Sequence, residues 1–303
     1  MTGPSQPPQA AQAAHPGPEQ DWPTGQVERL EPLVARVLAP NPSPFTYTGT
    51  QTYLVGDAGG LVVIDPGPDD PAHLAALEQA IGEVPVLAIA CTHTHRDHSP
   101  AAAPLAARTG APIIGCAPLV IESDMPRVDA PFDQTYTPDA VLTEGDTIEG
   151  PGWRLTAVAT PGHTSNHLCY ALEPSGALFT GDHVMGWSTS VVVPPDGDMA
   201  DYLDSLARLY EREDRIYYPA HGPAVEKPRQ LVRGMIGHRR QRERQILRLL
   251  EAEARAVEAL VPEMYKGVDQ RLWPAAGQSV LAHLLDLERR AEVTRSGDKW
   301  AVI

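Results

Sequence analysis

Three imidazoles and a carboxylate fall within six positions of the stretch Thr92-His93-Thr94-His95-Arg96-Asp97-His98. Histidine is usually scattered, so so dense a cluster reads as a metal site rather than as a polar loop. The apolar run at 86–91 just before it reads as a buried strand. Continued as a strand, it points His93 and His95 to the same side, where both rings can reach one cation. Asp97 and His98 fall past the strand end, where Ser99-Pro100 begins a helix-like stretch and the turn aims them at a neighbouring position. The spacing therefore supplies ligands to two adjacent metals.

Three later segments repeat the arrangement with one residue each. They are Thr160-Pro161-Gly162-His163, Gly181-Asp182-His183 and Pro219-Ala220-His221-Gly222. In each, a strand pattern ends, Gly or Pro turns the backbone, and one His or Asp is left at the carboxyl edge, where open sheets gather ligands. Asp65, at the end of a strand that precedes the His cluster, is either a turn former or a residue that orients a metal ligand. His167, four residues after His163, is either a donor to an oxyanion or leaving group, or a solvent-facing residue at a strand start. His183 is a local core residue or a partner to the site, and His73, on helical spacing over 71–81, reads as a surface residue.

The elements that must position these groups alternate. A hairpin is expected around Gly56-Asp57-Ala58-Gly59-Gly60, then a helix over 71–81, the strand at 86–91, a helix over 101–108 and a strand at 112–116. An acidic loop follows over 122–139, and strands return at 153–159, 167–172 and 177–180. Residues 1–26, rich in Pro, Gln, Ala and Gly, read as a disordered tail that includes His15. The globular pattern then runs from 27 to 225 as a catalytic domain, and residues 226–303 read as a separate small domain.

With 303 residues and 42% apolar content, the chain can bury a large core. No run approaches 18 apolar residues and no export or transit pattern is present, so a cytoplasmic protein without membrane contact is expected. Cys91, Cys116 and Cys169 each lie in an apolar run with no paired spacing and read as buried, reduced residues. The net charge is −15, but from Glu226 onward there are 15 Lys+Arg against 11 Asp+Glu, a balance of +4. The preceding residues carry 9 against 28, or −19, which argues against an extended polyanion track across them.

The pattern His-x-His-x-Asp-His, then His after Pro-Gly, Asp after Gly and a late His resembles the metallo-β-lactamase superfamily, and all seven positions are filled in order. The resemblance implies an α/β fold, an αββα sandwich with metals at one edge. It also implies that His93, His95 and His163 hold one metal, that Asp97, His98 and His221 hold the other, and that Asp182 bridges them. Asp182 moves the chain away from true β-lactamases, which generally lack this residue, toward phosphodiesterase-like and thioesterase-like members. At the other end, helical patterns over 239–250, 256–265 and 278–291 and a hairpin about Ser296-Gly297-Asp298 outline a winged helix. The combination resembles the lactamase-β-like group that includes an endoribonuclease for single-stranded RNA, although His183 stands where that ribonuclease has Cys.

The implied chemistry is hydrolysis by a metal-bridging hydroxide between two divalent ions, zinc first, with manganese or iron as alternatives. Asp97 and Asp182 are the expected catalytic carboxylates, with His167 as a further donor. A phosphodiester such as single-stranded RNA is the preferred substrate. A small thioester or ester, as in glyoxalase II, and a persulfide oxidised at one iron are the alternatives, and a homodimer is left open. Arg239, Arg240, Arg242 and Arg244 either contact a phosphate backbone or pack onto the acidic catalytic domain.

Overall fold

The computed structural model describes residues 22–121 and 132–303. The expected tail over 1–21, with His15, and positions 122–131 of the acidic loop lie outside them. Seven strands form the first sheet in sequential order: β1 (Val27–Glu31), β2 (Val34–Leu38), β3 (Gln51–Asp57), β4 (Gly60–Ile64), β5 (Val86–Cys91), β6 (Ile113–Gly115) and β7 (Ala140–Val141). The first three pairings are antiparallel hairpin steps, and the rest are parallel. Parallel neighbours need a crossover, supplied by α1 (Pro71–Ile81) and α2 (Ala102–Thr109). Asp70 caps α1 by accepting from His73 N at 2.8 Å, and Leu74, Leu77 and Ile81 form its buried face.

The second sheet holds β8 (Thr147–Gly150), β9 (Trp153–Ala159), β10 (Leu168–Glu173), β11 (Ala177–Gly181) and β12 (Ile216–Pro219), in the order β12-β11-β10-β9-β8. Side chains alternate across these strands and so serve two cores. Tyr170, Phe179 and Tyr218 face the first sheet, whereas Cys169, Leu178 and Tyr217 face α3 (Met199–Glu211) and α4 (Pro228–Leu250). The result is helix, sheet, sheet, helix. The three cysteines are buried and free, as their apolar surroundings imply.

Ordered packing begins before Val27. Gly25 N donates to Leu38 O at 2.9 Å, and the Arg36 guanidinium lies 4.1 Å over the Trp22 ring, so the last residues grouped with the tail join the edge of β2. His73 is also not on the surface. It is fully buried, with Nε2 3.0 Å from Thr52 Oγ1.

Helix α4 starts well before Arg239, because Val232 and Met235 bury themselves on Tyr202 and Leu206 of α3. It leads into β13 (Arg255–Ala256), α5 (Val257–Met264), α6 (Trp273–Arg289), β14 (Val293–Ser296) and β15 (Lys299–Val302). The last three strands pair as β13-β15-β14 over a core of Ile246, Leu260, Val280, Leu284 and Trp300, a winged-helix arrangement. Its third helix, α6, is largely covered: Ala282 joins the α3 and α4 core, and Arg289 bonds Asp198 at 2.9 Å. Among the described residues no helix is long and apolar enough to cross a membrane.

Asp198 both caps α3, through Ala200 N at 2.9 Å and Asp201 N at 3.1 Å, and receives Arg289. Asp198→Ala is expected to lower unfolding free energy by about 1 kcal/mol through the lost cap. A urea titration of both proteins checks this.

Candidate metal centre

The loops that leave the carboxyl ends of β5, β9, β11 and β12 meet at one edge of the sandwich. The expected ligands lie there in two groups, His93, His95, His163 and Asp182 in one and Asp97, His98 and His221 in the other, with the donor atoms of each within 4.8 Å of one another. Strand alternation is not what aligns His93 with His95. β5 ends at Cys91, and the two rings converge from a loop instead. His95 Nδ1 lies 2.9 Å from His93 Nε2 and 3.2 Å from His163 Nε2.

Asp182 stands between the groups. Its Oδ2 is 3.7 Å from His163 Nε2 and 3.6 Å from His98 Nε2, and its Oδ1 is 3.3 Å from His221 Nε2. Asp97 Oδ2 is 3.2 Å from His221 Nε2 and 3.4 Å from His98 Nε2.

Behind the rings, acceptors decide which nitrogen carries the proton. His163 Nδ1 donates to Val191 O at 2.6 Å, His221 Nδ1 to Gly49 O at 3.2 Å, and His98 Nδ1 to Asp65 Oδ2 at 3.0 Å. Thr92 Oγ1 donates to Asp65 Oδ2 at 2.8 Å, which leaves it to accept from His93 Nδ1 at 3.0 Å. Four imidazoles thus turn Nε2 inward, the orientation that outer partners give to metal-ligating histidines. Asp65 is therefore the residue that orients His98, and it does so from a left-handed backbone with φ 48°. Its other oxygen accepts from Thr92 N at 2.7 Å, so three contacts hold a conformation that costs a non-glycine residue energy.

His93 Nε2 at 2.9 Å and His163 Nε2 at 3.2 Å both face His95 Nδ1, where one proton can satisfy only one of them and a cation among the three nitrogens would satisfy all. Burial and the neighbouring rings push His93 well below its ordinary value, and burial with His95 pushes His163 down to about 4. These rings are neutral donors at pH 7. Burial would raise the Asp97 carboxyl, but His98 and His221 outweigh it and hold it well below the usual carboxylate range. Among the described residues, the buried atoms Asp182 Oδ1 and His98 Nε2 have no hydrogen-bond partner. Neutral imidazole, paired carboxylates and unpartnered inward atoms together fit divalent metal ions.

His167 is 1% exposed, so it does not face solvent. Nε2 accepts from Asp182 N at 3.2 Å and Nδ1 bonds Thr160 Oγ1 at 2.9 Å, which occupies both nitrogens. It holds the backbone of Asp182. Gly181 makes that possible: at φ 48°, a Cβ there would lie 2.7 Å from both His167 Nε2 and Thr92 Oγ1. His183 is a core residue against Tyr202, with ring centroids 4.7 Å apart, and burial lowers it to about 3.

Residues that the sequence pattern did not mark complete the surroundings. Phe132 lies flat on His95, 4.9 Å away at 11°. Trp187 packs on Gly222, beside His221, and Tyr47 stacks on Trp187 at 5.1 Å. Behind them Ser190 Oγ donates to Asp182 O at 2.5 Å and His183 O at 2.9 Å, while Ser190 O accepts from Arg239 of α4. Isolated aromatic and serine residues in loops have no periodicity, so only their final placement reveals them.

Residues 46–221 match the model of the metallo-beta-lactamase superfamily. The chain belongs to that superfamily. Residues 256–300 match the beta-lactamase associated winged helix domain. The chain is 32% identical to a Drosophila melanogaster protein named beta-lactamase-like protein 2 homolog, over 90% of this chain and 94% of the relative. It is 31% identical to an atrochrysone carboxyl ACP thioesterase from a Cryptosporiopsis species, over 76% of this chain and 66% of the relative. A beta-lactamase domain protein from Burkholderia ambifaria shares the fold with a TM-score of 0.76 at 22% identity, over 94% and 96% of the two chains. Membership makes the chain an enzyme of the hydrolase type.

Asp65→Asn keeps the side-chain shape but cannot accept from Thr92 N, Thr92 Oγ1 and His98 Nδ1 together. It is expected to weaken divalent cation affinity by about 10- to 100-fold, read by chelator competition.

Proposed function

We propose that this protein hydrolyses acyl thioesters with two divalent cations, zinc foremost, held by the two donor groups with Asp182 shared between them. The observation that carries the reading is the shared carboxylate set between aromatic walls. Phe132 covers His95, and Trp187 lies against Gly222, the residue after His221, with Tyr47 stacked on it. Walls of this kind take an apolar or planar acyl group, whereas a nucleic-acid backbone calls for cations at each phosphate. The thioesterase relative supports the same substrate class.

Bound there, the cations would polarise the carbonyl and lower the pKa of coordinated water toward about 7. The protein's own groups do the rest. Asp182, with one oxygen toward His98 and His163 and the other toward His221, holds the two donor groups in register. Asp97 has the more exposed side chain, 19% against 11% for Asp182, and is the carboxylate placed to receive a proton from attacking water. His167, Ser190 and Gly181 keep the Asp182 loop from moving as charge develops on the substrate.

Single-stranded RNA is the second reading, and Arg96 favours it. This exposed guanidinium lies between His95 and Asp97 in the chain, with no ion pair among the described residues, where a phosphate could meet it.

The test is release of free thiol from an aromatic acyl thioester of N-acetylcysteamine by zinc-loaded and manganese-loaded protein, beside a labelled single-stranded RNA. Thioester cleavage is expected, with kcat/KM reduced more than about 100-fold by Asp182→Ala and by chelation. RNA cleavage that is lost in the same variant, without thioester cleavage, would select the second reading. Metal analysis that finds a single iron, with oxygen uptake on a persulfide, would sink both.

A further inference from the structure

Helix α4 has two unlike sides. Its inner side carries Val232, Met235, Arg239, Ile246 and Leu250 into the protein, and Arg239 lies 5.2 Å from the Tyr202 ring while it bonds Ser190 O. Its solvent side carries Arg229, Arg233, Arg240, Arg244 and Arg248, all exposed, with Arg229 at the end of the row also lying 5.0 Å over the Tyr210 ring of α3. Separations of four, seven and eleven residues return to nearly the same face of an α-helix, so the five arginines make one stripe about 28 Å long. The remaining exposed positions on that face are two glutamines and two glycines. The helix's one acid, Glu243, is turned away to Arg290 at 2.6 Å. Among the described residues none of the five arginines has an ion pair.

Such a row of like charges repels itself and destabilises the helix that carries it. The glycines add to the cost. Gly234 and Gly237 sit in the helix interior, and a Cβ on either would meet nothing within 4 Å, so no packing inside the protein calls for them. What a missing Cβ in open space does allow is close approach by another backbone.

We propose that the solvent face of α4 docks the acidic face of an α-helical partner protein. The charge is complementary, arginine forks match carboxylates two hydrogen bonds at a time, and the flat strip at Gly237 lets a second helix lie close between Arg233 and Arg240. Single-stranded nucleic acid is the less suitable occupant, because it binds through aromatic platforms between the cations, and the one aromatic beside this row, Tyr210, is already covered by Arg229 at 5.0 Å. The docking is separate from the chemistry at the metal centre and stands whichever ester is cleaved.

Fluorescence anisotropy of the full-length protein tests this. The probes are a labelled helical peptide about as long as α4 with glutamates along one face, its glutamine counterpart, and a labelled oligouridylate. The glutamate peptide is expected to bind at least about tenfold tighter than the glutamine peptide. Arg233→Glu with Arg240→Glu should cost at least about tenfold, while Arg271→Glu with Lys299→Glu, an equal charge change on exposed residues elsewhere, should leave binding within about twofold. Gly237→Gln should raise the thermal midpoint yet weaken the glutamate peptide, a combination that a purely structural glycine would not show. Absence of peptide binding, an equal loss from the control pair, or tighter binding of oligouridylate through the same arginines would each overturn the proposal.

Discussion

Everything at the functional edge depends on convergence. Five imidazoles and two carboxylates are aimed at one small volume, where the His93, His95 and His163 nitrogens crowd together and Asp97 and Asp182 lean on His98 and His221. The protein removes the alternatives that would undo it. Rotating a ring would break its outer bond, since Val191 O, Gly49 O, Asp65 and Thr92 each hold an Nδ1. Moving Asp182 would break His167, and Gly181 leaves that contact no slack. A site held this way has its geometry before a metal arrives, so binding need not order the ligands.

The convergence of these seven residues was legible because metal ligation calls for residue types that are rare elsewhere. Three imidazoles in six positions, and single His or Asp residues just after strand ends, stand out against any background. The strands were legible for the same kind of reason: β5 is a continuous apolar run and β9 alternates buried Trp153, Leu155 and Ala157 with Arg154 and Thr156, and both begin and end where those patterns do. Other features depend on tertiary neighbours and leave no such trace. His73 looks like any polar residue on a helix, and only the proximity of Thr52 buries it. The first half of α4 is broken up by Gly234 and Gly237 and forms because Val232 and Met235 find α3. His167 was correctly placed next to the site, but its role turns on which atoms meet its two nitrogens, and spacing does not encode that.

The expectations for the basic helix split by face. Arg239 packs onto the catalytic domain, and Arg242 bonds Met264 O at 2.7 Å over the Tyr265 ring, so both serve cohesion. Arg240 and Arg244 remain in solvent. A count of charges along the sequence cannot separate these pairs, because residues two apart on a helix lie on nearly opposite sides.

The covered helix α6 bears on the meaning of the winged helix. In a helix-turn-helix reader the corresponding helix must enter a groove of the duplex. Here its surface is spent on α3 and α4, with Ala282 in their core and Arg289 on Asp198. The small domain therefore works as a brace. It presses α4 against the Ser190 loop, and Arg239 carries that contact to Ser190, whose hydroxyl reaches the carbonyls of Asp182 and His183. Anything that shifts α4 along its axis must either drag Ser190 or break its bonds, so the backbone of Asp182 is tied to a helix whose opposite face is open to solvent.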